Sequence, residues 1–345
     1  MKHSRFAILL LPLSLIVCLF AANLFAGSVK IPASSVIDIL FGGETSKETW
    51  QYIVLYSRLP QAVTALFAGA ALATAGLMLQ TVFANPLAGP SILGIDSGAS
   101  LGVALVMLMF GGTLGVFSAD FGISGYLSVI LGAFIGSILV LGVIIFMSTF
   151  VRSNIMLLII GIMIGYLTSS VVSLLSFFST AEGVFSYTIW GMGDFSGVSL
   201  RQLPIFCTFI AIGLFVAVIL IKPLNALLLG ERYAANLGVN VKRMRIMLLI
   251  ATGILISVTT AFCGPIAFIG LTVPHIARLL LGTSNHNLLL PLTLLIGSTI
   301  ALLCNLISVL PAATGMIPLN AITPVLGAPV IIYVIVNRNK IQYFN

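Results

Sequence analysis

Apolar residues fall in long blocks along this chain, with neither the two-residue nor the 3.6-residue alternation of a half-buried element. Many blocks approach twenty residues, the length with which a helix crosses roughly 30 Å of hydrocarbon. Read between polar residues and Gly/Pro breaks, they predict spans near 6–27, 59–80, 91–110, 122–148, 154–178, 203–221, 246–263, 271–282, 288–310 and 321–337. The expected fold is an all-α integral membrane protein of about ten transmembrane helices. The eighth block is too short to cross alone. It is expected as a short broken helix packed on protein, because non-helical backbone at membrane depth is tolerated only where other helices or a cavity satisfy it. No low-complexity linker or charge block divides residues 1–345, which are read as one transmembrane domain.

Composition supports the same reading. Of 345 residues, 60% are hydrophobic and 7% charged, whereas a soluble domain devotes about a quarter to charge. So few charges could not cover a water-facing surface. The net charge of +7 would suggest nucleic acid in a soluble protein, but the positions of the basic residues explain it otherwise. With ten spans and a cytoplasmic N-terminus, eleven Lys/Arg fall inside: Lys2, Arg5, Arg152, Lys222, Arg232, Lys242, Arg243, Arg245, Arg278, Arg338 and Lys340. Lys30, Lys47, Arg58 and Arg201 fall outside. This is the positive-inside bias, and it puts both termini in the cytoplasm. No nucleic-acid partner is expected. Lys2 and Arg5 ahead of an apolar run also resemble a signal peptide, but the run exceeds a usual signal core and is read as a retained helix.

Cys18, Cys207, Cys263 and Cys304 sit inside apolar runs without Cys-x-x-Cys spacing and read as packing residues. His3, His275 and His286 are too scattered for a zinc or catalytic constellation, so no catalytic residue, metal or cofactor is assigned to the chain. Gly98/Gly102, Gly132/Gly136 and Gly161/Gly165 each place two small positions on one helix face and are expected to pack helices closely within one subunit.

Three segments break the apolar monotony. Arg58-Leu59-Pro60 opens the second span, which Asn85-Pro86-Leu87 ends in a rigid turn leading to Asp96. Residues 223–241 form a polar loop in which Gly230 and Gly238 punctuate two short helices; it is too short, broken and acidic for a good lipid-surface helix, and reads as a protein-facing knob. Gly264-Pro265 leads into the eighth span with Pro274 and His275, where a discontinuous helix often lines a pathway.

At these three motifs, over residues from about 55 to Pro329, the chain resembles the iron-chelate, haem and vitamin B12 importer permeases of the ATP-binding-cassette class. The resemblance implies a ten-helix homodimeric permease in the inner membrane, with inverted halves beginning at the second and seventh helices. It implies two cytoplasmic ATPase subunits that hold ATP and Mg, and an extracytoplasmic substrate-binding protein. The chain has no phosphate-loop motif of its own. By resemblance, Asn85, Pro86 and Leu87 lie at one gate element and Ser153 and Asn154 at the other; Asp96, Pro274 and His275 are pathway candidates. Gly230, Glu231, Ala234, Leu237 and Gly238 form the ATPase-coupling surface, Glu231 offering a charge to that partner. Arg58 becomes a docking charge for the binding protein. Relatives often carry further arginines where this chain has Gln61 and Val309, so docking charge is thinner here. The rival reading is a proton-coupled secondary transporter titrating at Asp96, against which Asp96 bonded to Ser97 or to nearby backbone is the structural alternative.

Overall fold

The computed structural model describes residues 2–43, 47–109, 125–151, 153–310 and 315–337. Glu44, Arg152, Arg338 and Lys340 lie outside them, as do the last residue of the expected third span and the first residues of the fourth.

The described regular elements are helices. In chain order they are α1 (Lys2–Phe25), α2 (Ala33–Leu40), α3 (Glu48–Tyr52), α4 (Leu59–Val82), α5 (Ile95–Ala104), α6 (Gly125–Phe150), α7 (Asn154–Phe178), α8 (Ala181–Gly191), α9 (Leu203–Ile219), α10 (Ile221–Leu227), α11 (Glu231–Asn236), α12 (Val241–Cys263), α13 (Ile269–Leu281), α14 (His286–Val309) and α15 (Leu319–Val336). A wider-wound turn, Ile53–Arg58, joins α3 to α4, and another, Leu105–Met109, continues α5. Seven helices are long and apolar enough to span by themselves, and α9 with α10 makes a further span bent by 52°. The third and eighth expected spans appear as two shorter apolar helices, Ile95–Met109 and Ile269–Leu281. The about-ten-span reading therefore holds, with the eighth segment short as expected.

Helix starts follow local chemistry. Ser153, Thr180 and Asn240 each accept a hydrogen bond from the backbone N–H three residues on, satisfying a donor that the first helical turn leaves open. Inside the bundle, Thr64, Thr81, Thr252 and Thr259 return their hydroxyl protons to the carbonyl four residues earlier. Where no water reaches, that removes the cost of a buried hydroxyl.

The helix entered from Glu48 and ending at Val82 is the centre: 83% of its most apolar window is buried, against 72% for α12 and 22% each for α1 and α7. Small residues make this centrality possible. A Cβ added at Gly76 would overlap the Gly270 carbonyl of α13, and one at Gly69 the Gly297 carbonyl of α14. The expected glycine pairs do what their spacing predicts: Gly98 and Gly102 of α5 meet Gly136 and Gly132 of α6, backbone against backbone. Gly161 of α7 closes on the turn at Ile92 and Leu93. Cys263 and Cys304 are buried as expected, whereas Cys18 is exposed on the outer face of α1.

The break between α12 and α13 is held by one side chain. Gly264 turns the chain at φ 72°, and Phe268 takes φ 68°, a left-handed backbone costly for a bulky residue. Asn320, at the start of α15, accepts from Ala267 N at 3.0 Å and donates to Pro265 O at 2.7 Å and Gly191 O at 3.1 Å. The exposed backbone polar groups of a broken helix are thereby satisfied from a neighbouring element.

Candidate functional site

At one end of the bundle, α4 stops, α7 starts, and the 223–241 loop packs beside both. After Val82 the chain turns through Ala84 at φ 44°. Asn85 then closes the turn: its N–H donates to Gln80 O at 3.1 Å, its carbonyl accepts from Ala88 N at 3.0 Å, and its side chain accepts from Leu87 N at 2.9 Å. Pro86 cannot donate, which keeps the turn from continuing as helix. Its carbonyl pairs with His275 Nε2 at 2.8 Å, tying α13 to the turn.

Opposite stand Ser153 and Asn154 at the start of α7. A cavity of about 450 Å³ lies between, lined by Ala84 and Asn85 on one side and Ser153, Asn154, Ile155 and Leu158 on the other. The two gate elements expected from resemblance are therefore neighbours in space, although almost seventy positions separate them in sequence. Pro274 and His275 are buried in α13, His275 reaching this turn.

The loop has the shape its glycines predict. Gly230 (φ 98°) and Gly238 (φ 86°) occupy backbone regions that L side chains avoid, and they bracket α11. Ala234 packs inward while Leu229, Tyr233 and Leu237 are each more than half exposed. Glu231 has partners within the chain. Its carboxylate is engaged inside the chain, accepting from Arg245 Nη2 at 2.8 Å and from Asn154 Nδ2 at 2.9 Å. The side chain is nonetheless 45% exposed at the loop surface.

Asp96 is placed differently from expectation. It lies in the first turn of α5, nearly buried, and Oδ1 accepts from the Thr260 hydroxyl at 2.8 Å. The partner is a hydroxyl on α12, neither Ser97 nor local backbone, and Asp96 does not line the cavity beside Asn85. Sequence spacing could not have revealed a contact across 164 residues.

Arg58 lies at the opposite end of α4. It is 5% exposed, Nη1 donating to Leu24 O and Phe25 O at 2.9 Å each and Nη2 to Val29 O. The Leu24 and Phe25 carbonyls end α1, so the guanidinium caps that helix where its own N–H groups have run out, and through Val29 O it ties down the segment that follows. The side chain is turned in, and a Cβ on Gly27 would strike it. Gln61 and Val309 share with Arg58 one cavity of about 180 Å³.

A polar cluster that sequence reading missed backs the first site. Buried Arg278 donates to Gln80 Oε1 at 2.6 Å, and Gln80 Nε2 to Leu271 O at 3.1 Å. His286 pairs with Thr81 Oγ1 through Nε2 and with Asn225 Oδ1 through Nδ1, both at 2.9 Å. Asn225 belongs to α10, so the loop is joined to the end of α4. The only sequence signal was a scatter of polar residues at span ends.

A bundle of membrane-spanning helices that gathers a helix-ending turn, an opposed helix start and a glycine-bracketed loop at one end has the architecture of a transport permease. The chain belongs to the FecCD transport family, which matches residues 14–337. It is 33% identical over 293 residues to the vitamin B12 import system permease protein BtuC of Klebsiella pneumoniae, covering 85% of each chain. It is likewise 33% identical over 301 residues to BtuC of Escherichia coli O17:K52:H18, covering 86% of this chain and 88% of that one. A solved chain in an inward-facing conformation, assigned to the metal-chelate type of ABC transporter, superposes with a TM-score of 0.80 at 29% identity, over 96% of this chain and 99% of the other.

Proposed function

We propose that this chain is the membrane-spanning subunit of an ATP-binding-cassette importer that carries a metal chelate inward across the cytoplasmic membrane, as a homodimer served by two ATPase subunits and an external binding protein. Siderophore, haem and cobalamin are the candidate cargoes, and the BtuC relatives put a corrinoid first among those to test. Both termini are cytoplasmic in this reading, which follows the distribution of Lys and Arg. The observation that carries it is the 223–241 loop: an exposed apolar surface of Leu229, Tyr233 and Leu237, shaped by Gly230 and Gly238, beside the Asn85 turn and the Ser153–Asn154 helix start. A proton-coupled carrier has no use for such a surface.

The test is uptake into proteoliposomes holding the chain, with and without its cognate ATPase and binding protein, using cyanocobalamin, a ferric siderophore and haemin in turn. Uptake of one cargo that needs both ATP and the ATPase supports the reading. Uptake driven by a proton gradient alone overturns it in favour of Asp96-coupled transport.

A further inference from the structure

The ring of contacts around Asn154 does more than end helices. Its side-chain amide has two protons, and each has a separate acceptor: Val82 O at 2.9 Å, near the end of α4, and Glu231 Oε1 at 2.9 Å, the first residue of α11. Rotating the amide would set its oxygen against two acceptors, so the orientation is fixed by chemistry. Glu231 is held in turn by Arg245 of α12 at 2.8 Å, and Arg245 is itself largely buried. Val82 is two residues before the strained Ala84, and Asn154 begins the helix across the cavity. One carboxylate on the loop therefore touches, through a single amide, both walls of the cavity.

We infer that Glu231, Asn154 and the Val82 carbonyl form a latch that holds the two gate elements together and releases them when the loop moves, making Glu231 and Asn154 positioning residues for gating. This inference rests on the importer reading for what moves the loop, but not for the latch itself. The bond to Asn154 is charge-assisted on one side only and geometrically strict, since an amide proton must meet the carboxylate within about 3 Å. A shift of α11 by little more than an ångström breaks it. Asn154 is then left with one acceptor, Val82 O, and the start of α7 loses its tie to the loop. Among the described residues Asn154 Oδ1 has no hydrogen-bond partner.

The test has two readouts. The first is the rate at which a membrane-impermeant maleimide labels a reporter cysteine, Ile155→Cys, from the loop side of the membrane in vesicles of the permease alone. Labelling of the four native cysteines is measured without the reporter and subtracted. The second is uptake per ATP hydrolysed by the assembled transporter. Glu231→Ala and Asn154→Ala should each raise the labelling rate and lower the coupling ratio by roughly tenfold, the change that losing one charge-assisted hydrogen bond produces. The double substitution should cost less than the product of the two single effects, because both remove the shared Asn154–Glu231 contact. Glu231→Gln should fall between wild type and Glu231→Ala, since its amide oxygen still accepts from Asn154 and Arg245 but no longer carries the charge. A merely structural role would lower yield and melting temperature without a shared, non-additive change in labelling.

Labelling at the wild-type rate in Glu231→Ala, single effects that multiply in the double variant, or a Glu231→Gln variant as impaired as Glu231→Ala overturns the latch. The importer reading fails separately. Absence of ATPase binding with the labelling pattern intact removes the importer and keeps the latch, while ATP-driven uptake unaffected by Glu231→Ala does the reverse.

Discussion

Two buried ionisable residues, Asp96 and Arg58, are each held by the partners they meet. Asp96 accepts from Thr260, and an asparagine there keeps an oxygen for the same hydroxyl. Asp96→Asn is therefore expected to leave ATP-driven uptake within about twofold of wild type, since swapping one acceptor for another in a satisfied pair leaves no group orphaned. Loss of uptake at normal expression would show that the carboxylate serves the pathway. Arg58 carries three carbonyls at once. Truncating it to alanine leaves those acceptors without their donors, and a loss of about 1–3 kcal/mol in stability is expected, read as an earlier thermal transition in detergent. If Arg58→Ala instead leaves stability unchanged and weakens only the affinity for the external binding protein, the docking role implied by resemblance stands and the capping role falls.

Among the elements, the 223–241 loop takes its two turns from the backbone freedom of Gly230 and Gly238. Gly238 sits at φ 86° with no atom within 4 Å of where a Cβ would be. A valine there meets no neighbour but cannot hold that dihedral without a strain of about 1–2 kcal/mol. Gly238→Val is therefore expected to preserve the fold, with normal yield and gel-filtration behaviour, while separating ATP hydrolysis from uptake. Full coupling in that variant would remove the loop from the coupling surface. The same element shows how far local signals reach. Gly230 immediately before a short polar helix and Gly238 two residues after it announced its boundaries, but that Glu231 at its start turns toward Arg245 and Asn154 depended on how α7 and α12 pack, which no local propensity encodes.

Across the whole molecule, lipid offers no hydrophobic drive between helices, so close backbone approach must hold the bundle together. The seams at Gly76/Gly270 and Gly69/Gly297 join α4 to α13 and α14, and those at Gly98/Gly136 and Gly102/Gly132 join α5 to α6. Gly76→Val puts a branched side chain into the Gly270 carbonyl, where the obstacle is backbone and cannot swing away. No monodisperse protein is expected from that variant after detergent extraction, as seen by gel filtration; a normal elution profile would mean the helices separate without cost.

What the sequence determined by itself was whatever depends on composition and local pattern. Long charge-poor blocks announced membrane helices because burying a backbone in hydrocarbon demands it, the short eighth segment was visible in its length, and Gly-x-x-x-Gly spacing marked faces because 3.6 residues per turn stack i and i+4. Asn85-Pro86, Gly230 and Gly238 were legible because proline and glycine act on their own dihedrals. Only the tertiary structure decided which polar groups meet: Asp96 with Thr260, Arg58 with the end of α1, His286 with Thr81 and Asn225, and Asn320 with the break before α13. In a low-dielectric interior each such group must find a partner, but many polar side chains could have served. The choice among them was made by the packing of helices far apart in sequence.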